Sequence, residues 1–210
     1  MARLKSMSVG FDNWQSEVLK GQFYPDDLPE EWCADYYFNY FRVAMATQGD
    51  WMKWDKAVLT MLDEAMFAEN MLYLRWQAWC PDSARQFERL SDHLGDRLGV
   101  LLLEGWTQEC FENHADLWES SPSNPTLLQP TDQSWVLSGW QWDYNNQRFS
   151  GQPLAILNDL PENIKQQRQL IDVLKASLPN TTAMPVFVDP SQVSVKQLTD
   201  LASLIELLGY

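Results

Sequence analysis

Short apolar or β-branched runs alternate along most of this chain with longer segments whose apolar residues recur every three or four positions. That alternation is how strand–helix–strand crossovers are written, and such crossovers build parallel sheets covered by helices. The strand candidates are Ser8–Phe11, Arg42–Thr47, Met71–Trp76, Leu98–Leu103, Thr126–Gln129 and Pro185–Val188. Leu98–Leu103 is continuous enough in apolar character to be buried on both faces. Ser134–Trp140 and Gln152–Leu157 flank an Asn145-Asn146 turn region and are read as arms of a hairpin.

Between the strands, Asp27-Leu28-Pro29-Glu30 supplies a capping carboxylate, a first-turn proline and a Glu that can reach back. A helix is predicted from there to about Phe41. Asp50 is read as the cap of a helix whose apolar face is Trp51, Trp54, Val58, Met61, Leu62, Ala65 and Met66. Asp82 opens the next, through Phe87, Leu90 and Leu94, and Thr107 caps another that reaches about Trp118. Asp159-Leu160-Pro161-Glu162 repeats the earlier capping tetrapeptide before a helix carrying Ile164, Ile171, Leu174 and Leu178. A last helix presents Leu198, Leu201, Ile205 and Leu208.

The 210 residues contain no dividing linker and no solenoid period, so residues 1–210 are expected to form one α/β domain. A count of about seven or eight strands fits a TIM-like (β/α) barrel, incomplete or irregular around residues 120–157. An open doubly wound sheet is the competing architecture.

Composition narrows the chemistry. Acidic residues outnumber basic ones, 29 against 15, for a formal net charge of −14. Such a chain repels nucleic-acid phosphates and anionic membrane faces, so neither is expected as a partner. Two His cannot build a His-rich metal centre. Cys33, Cys80 and Cys110 include no CxxC pair, which removes zinc ribbons and thioredoxin-type sites and leaves them as small, mostly buried hydrophobes. GxSxG, GxxxxGK[ST] and a strand-borne GxGxxG are missing too, so nothing in the text asks for a cofactor or a metal. The segment Met1–Met7 is basic but has no apolar stretch of signal length behind it. The longest aliphatic run, Val100–Leu103, is far short of the ~20 residues that cross a bilayer. The expected location is the cytoplasm, where the sequon Asn180-Thr181-Thr182 has no glycosylation meaning.

The N-terminal third carries a recognisable text. Val9-Gly10-Phe11-Asp12-Asn13-Trp14 is followed by Gly21-Gln22-Phe23-Tyr24-Pro25, then Leu28-Pro29, then Tyr36-Tyr37 and Phe41. This opening resembles the YecE-like family (domain of unknown function 72). Leu94-Gly95-Asp96-Arg97-Leu98-Gly99-Val100 resembles the family's mid-chain passage from helix to strand. The resemblance covers about half of the chain and implies a TIM-like barrel in a short, divergent member. It departs at Val43-Ala44-Met45-Ala46, where the family pattern has polar residues. No established activity comes with the family, so no catalytic role is carried over.

In a barrel, sites assemble just past the strand C-termini. The positions there are Asp12, Asn13 and Trp14; Thr47 and Gln48; Arg75, Trp76 and Gln77; Glu104; Gln129 and Thr131; and Asp189. Arg75 stands out, because a guanidinium ending an apolar strand needs a partner, and Asp12 or Glu104 could supply it. The cluster is readable as a cation gripping a ligand's carboxylate or phosphate, or as a salt bridge closing the barrel mouth. Asp12 with Glu104 could also form an acid/base pair. Eleven Trp outnumber nine Gly, and Trp76, Trp79 and Trp140–Trp142 lie where an aromatic face could stack on a sugar or a base. Trp51 and Trp54 are read as core. Cys110 and His114 share a helix face, yet nothing near them marks an oxyanion site.

Two readings result. One is a non-catalytic or weakly catalytic barrel that binds a small polar ligand or a partner, with Asp12, Trp14, Arg75, Trp76, Gln77 and Glu104 as the ligand-binding candidates. The other is a metal-independent enzyme acting on a small polar substrate such as a carbohydrate or phosphorylated metabolite. The Trp-rich region 118–151 further suggests a homo-oligomer contact.

Overall fold

The computed structural model describes residues 6–119, 125–179 and 183–210. In chain order the elements are β1 (Ser6–Phe11), α1 (Cys33–Phe38), β2 (Val43–Ala46), α2 (Gln48–Trp51), α3 (Lys56–Ala65), β3 (Met71–Trp76), α4 (Pro81–Leu94), β4 (Leu102–Glu104), α5 (Gln108–Asn113) and α6 (Asp116–Glu119). There follow β5 (Thr126–Pro130), β6 (Trp140–Tyr144), β7 (Gln147–Gly151), β8 (Ala155–Leu157), α7 (Ile164–Ser177), β9 (Ala183–Val188) and α8 (Val195–Leu207). The sequon lies outside the described residues.

The architecture is α/β with parallel strands and covering helices. One sheet runs β1-β9-β8, all parallel; the other runs β2-β3-β4-β5-β7-β6. In the second sheet β2 to β5 are parallel, and β7 and β6 add antiparallel at its edge. A closed hydrogen-bonded barrel does not occur among the described residues. Where β1 meets β2, the two strands are joined by a side chain instead of a ladder. The buried Tyr37 hydroxyl accepts from the Phe11 amide at 2.8 Å and donates to the Val43 carbonyl at 3.2 Å. A Trp14 N–H to Met45 O bond of 3.2 Å continues the seam. Gly10 permits the approach, since a Cβ there would overlap the Val43 carbonyl oxygen.

The hairpin exists, but its arms are Trp140–Tyr144 and Gln147–Gly151, not Ser134–Trp140 and Gln152–Leu157. Asn145 and Asn146 form its two-residue turn with φ of 47° and 61°, as a type I′ turn requires. The hairpin lies alongside β5, so it extends the sheet and does not project from it.

Several caps differ from expectation. Pro29 sits in extended backbone (ψ 144°) before a single 3-10 turn, Glu30–Trp32, so Asp27 lies too early to cap it and α1 ends at Phe38. The helix expected from Asp50 breaks in two, because the Asp55 carboxylate accepts from the Ala57 and Val58 amides at 2.9 and 3.1 Å and starts α3 afresh. Cys80, not Asp82, caps α4, in a reciprocal box with Ser83. Thr107 caps as predicted, but its helix is interrupted at His114 into α5 and α6. Asn163 replaces Asp159 as the cap of α7, leaving Asp159 to accept from the Tyr144 hydroxyl. Ser194 and Gln197 form the box that begins α8.

Apolar side chains from both sheets and all the longer helices make one continuous core. No helix among the described residues is long and apolar enough to cross a membrane.

Candidate functional site

Three strand ends meet at one place. Arg75 is the penultimate residue of β3 and Glu104 the last of its parallel neighbour β4. Asp12 follows β1, which belongs to the other sheet, and its amide is fixed to the Val188 carbonyl of β9 at 2.9 Å. The guanidinium bridges them. Arg75 Nε and Nη2 donate to the two oxygens of Glu104 at 2.9 and 2.6 Å, and Nη1 donates to Asp12 Oδ2 at 2.6 Å. Gln77 adds a fourth bond, Nε2 to Glu104 Oε2 at 2.6 Å. A bidentate arginine–carboxylate pair is among the strongest contacts a protein makes with neutral-pH charges. The Asp12, Arg75 and Glu104 side chains are 14, 19 and 26% exposed, so water screens them only in part.

Burial raises the Asp12 carboxyl above its ordinary value; Arg75 opposes this without cancelling it, and the charges of Asp189 and Glu104 add to the rise. Burial works the same way on Glu104, but there the Arg75 and Gln77 bonds prevail and its pKa falls. Arg75 is held in its charged form despite desolvation by its bonds to both acids. One oxygen of Asp12, Oδ1, is buried with no hydrogen-bond partner among the described residues.

The backbone beneath this cluster is clamped by amides and indoles. Gln48 accepts from the Gln77 and Ala78 amides at 2.9 and 2.8 Å and donates to the Ala78 carbonyl at 2.6 Å. Trp51 Nε1 donates to the Arg75 carbonyl at 3.0 Å, and Trp106 Nε1 to the Trp76 carbonyl at 2.9 Å. The role of Trp106 escaped the sequence reading, since an aromatic just past a strand carries no mark of which carbonyl its N–H will reach.

The structure therefore brings Asp12, Arg75, Gln77 and Glu104 together and sets Trp14 and Trp76 apart from them. Trp14 is 1% and Trp76 0% exposed. Trp76 packs among Trp51, Phe87, Trp106 and Trp118, so neither ring offers a face to a ligand. Trp118, Trp140 and Trp142 are also buried, so of the four indoles in the 118–151 region only that of Trp135 is half-exposed. Trp51 and Trp54 are core, as expected. Trp79 stacks on His114 with centroids 3.8 Å apart. Cys110 is no activated nucleophile, because burial pushes its thiol up. All three cysteines are free and half-buried, more accessible than the sequence implied.

Thr131 fixes the loop after β5 through its amide bond to the Asn146 carbonyl, and Asp189 is engaged with Ser191. Asn13 accepts from the Gln15 amide.

No family model and no curated protein matches the sequence. Among solved structures, the chain is similar to a DUF72 family protein of Thermotoga maritima, with a TM-score of 0.61 over 96% of this chain and 99% of that one. The two are 14% identical, so the likeness is one of fold. That fold is the one carried by a member of the family which the Phe23-Tyr24-Pro25 and Leu28-Pro29 text resembles.

Proposed function

We propose that this protein is a binding protein of TIM-like barrel class, taking a small polar ligand at the end where the strands finish, and that the Asp12–Arg75–Glu104 cluster is its structural clasp. The observation that carries this reading is the engagement of all three guanidinium nitrogens by the protein's own carboxylates. Three guanidinium N–H bonds go to two carboxylates, and Gln77 holds one of those again. A cation so engaged has little left to grip an anionic substrate. A carboxylate held by Arg75 and Gln77 is a poor general base, because its lone pairs are occupied and its pKa is lowered.

A second reading, a metal-independent enzyme on a carbohydrate or phosphorylated metabolite, is favoured by one fact. Asp12 is shifted up and Glu104 down, and oppositely shifted carboxyls are how acid and base are divided in many sites. A panel of chromogenic glycosides, esters and phosphate esters, run beside a thermal-shift screen of sugars, sugar phosphates and carboxylates, separates the two. The binding reading expects stabilisation by some ligand without turnover. Turnover that Glu104→Gln abolishes overturns it.

A further inference from the structure

A cleft of about 400 Å³ opens beside the clasp, where β4 and β5 end. Gly105, Trp106 and Gln108 line it from one side, and Gln129, Gln133 and Trp135 from the other. Its volume is within the range of small-molecule sites, and its position just past strand C-termini is where α/β folds place them.

Three features make it a built site. Gln129 is a polar side chain 8% exposed, and its amide donates to the Trp106 carbonyl at 3.2 Å. Its amide oxygen accepts no bond among the described residues. The outer wall is fixed in advance: the Thr131 amide bonds to the Asn146 carbonyl at 3.0 Å, the Gln133 amide to the Pro130 carbonyl at 3.1 Å, and Arg148 reaches the Gln133 carbonyl at 3.4 Å. Trp135 is half-buried, tilted against Phe111 at 5.5 Å, and leaves part of its ring uncovered.

The lining decides the ligand. None of the residues that line this cleft is ionisable, although 21% of the chain is charged. An anion or cation would enter without a counter-charge and lose hydration for nothing. Carboxamides and hydroxyls both donate and accept, which suits neighbouring hydroxyls on one molecule, and an indole face suits the apolar C–H face of a ring.

Resting on the binding reading above, we propose that this cleft takes a neutral polyhydroxylated ligand, a sugar or sugar alcohol. The test is titration calorimetry of the full chain with neutral mono- and disaccharides, and separately with glucose 6-phosphate, repeated on Trp135→Ala and Gln133→Ala. Neutral sugars are expected to bind, the phosphorylated one more weakly. Trp135→Ala should raise Kd about tenfold, the size of a lost ring contact. Both substitutions lie on the half-exposed or exposed loop, and an unchanged near-ultraviolet spectrum checks that they fold. No binding of any neutral sugar overturns the proposal. Binding that neither substitution weakens also overturns it, while leaving the broader binding reading in place.

Discussion

Removing a single oxygen tests the seam that holds Asp12 in position. Tyr37→Phe keeps the ring, its packing against Trp14, Phe23 and Phe41 and nearly all of its volume. Only the hydroxyl, buried between β1 and β2, is lost. The Phe11 N–H, which donates to it at 2.8 Å, then faces an apolar ring edge, and the Val43 carbonyl loses a donor at 3.2 Å. Tyr37 is 0% exposed, so water does not readily replace either bond. An orphaned buried amide costs about 1–3 kcal/mol and a weakened carbonyl acceptor about 1 more, for roughly 2–4 kcal/mol together. For a chain of this length each kcal/mol lowers Tm by about 2–4 °C, so the melting point should fall by roughly 10 °C. Urea unfolding measures the loss directly, with an unchanged slope showing that the unfolded state is the same. Hydrogen exchange should show the Phe11 amide losing protection more than its strand neighbours. A loss below about 0.5 kcal/mol, or no selective change at Phe11, would refute the reasoning.

Three further outcomes are expected. Glu104 has its folded pKa below its ordinary 4.5, so its pairing stabilises above that value and is lost as pH falls through the folded one. Glu104→Gln should therefore cost about 2–4 kcal/mol at neutral pH and progressively less below about pH 4.5 in urea titrations. A constant gap contradicts this. Asp12 has the opposite sign: raised above its ordinary 3.8, its protonated form favours folding below that value, and that contribution fades as pH rises through the folded one. Asp12→Asn should accordingly gain on the natural protein across that rise. In the hairpin turn, Asn146 has φ 61°, so Asn146→Val should lose about 1–2 kcal/mol in melting experiments, while Asn146→Gly should lose none.

Parts of this molecule are legible in the text because local and global preferences agree. Met71–Trp76 is read to the residue, since an apolar strand buried on both faces stands out against its polar flanks. Arg75 is identifiable because a guanidinium at the end of such a run must find an acid, and Asp12 and Glu104 are the acids at neighbouring strand ends. What fails does so for identifiable reasons. Trp76 is buried although it ends β3, because in a sheet covered on both sides position along a strand does not say which aromatics reach the surface. The hairpin arms are not where apolar runs point, because Trp140-Gln141-Trp142 alternates buried and exposed along β6. Cys80 is a weak capping type by preference, yet the chain entry at Pro81 leaves it the place. The Gln129–Trp135 cleft is invisible in sequence, since neutral amides in a loop carry no periodic mark.

Arg75 is bound up by its own protein's carboxylates. A double-mutant cycle between Arg75→Met and Glu104→Met, read by urea unfolding at neutral pH, measures that directly. Arg75→Met leaves Glu104 without its cation and Glu104→Met leaves Arg75 with Asp12 alone, while the double variant replaces the Arg75–Glu104 pair with apolar side chains of similar length. The predicted coupling is about 2–4 kcal/mol, with the double variant more stable than the sum of the singles implies. A coupling below about 0.5 kcal/mol, the scale of an exposed surface pair, would show that the guanidinium is free and contradict the clasp.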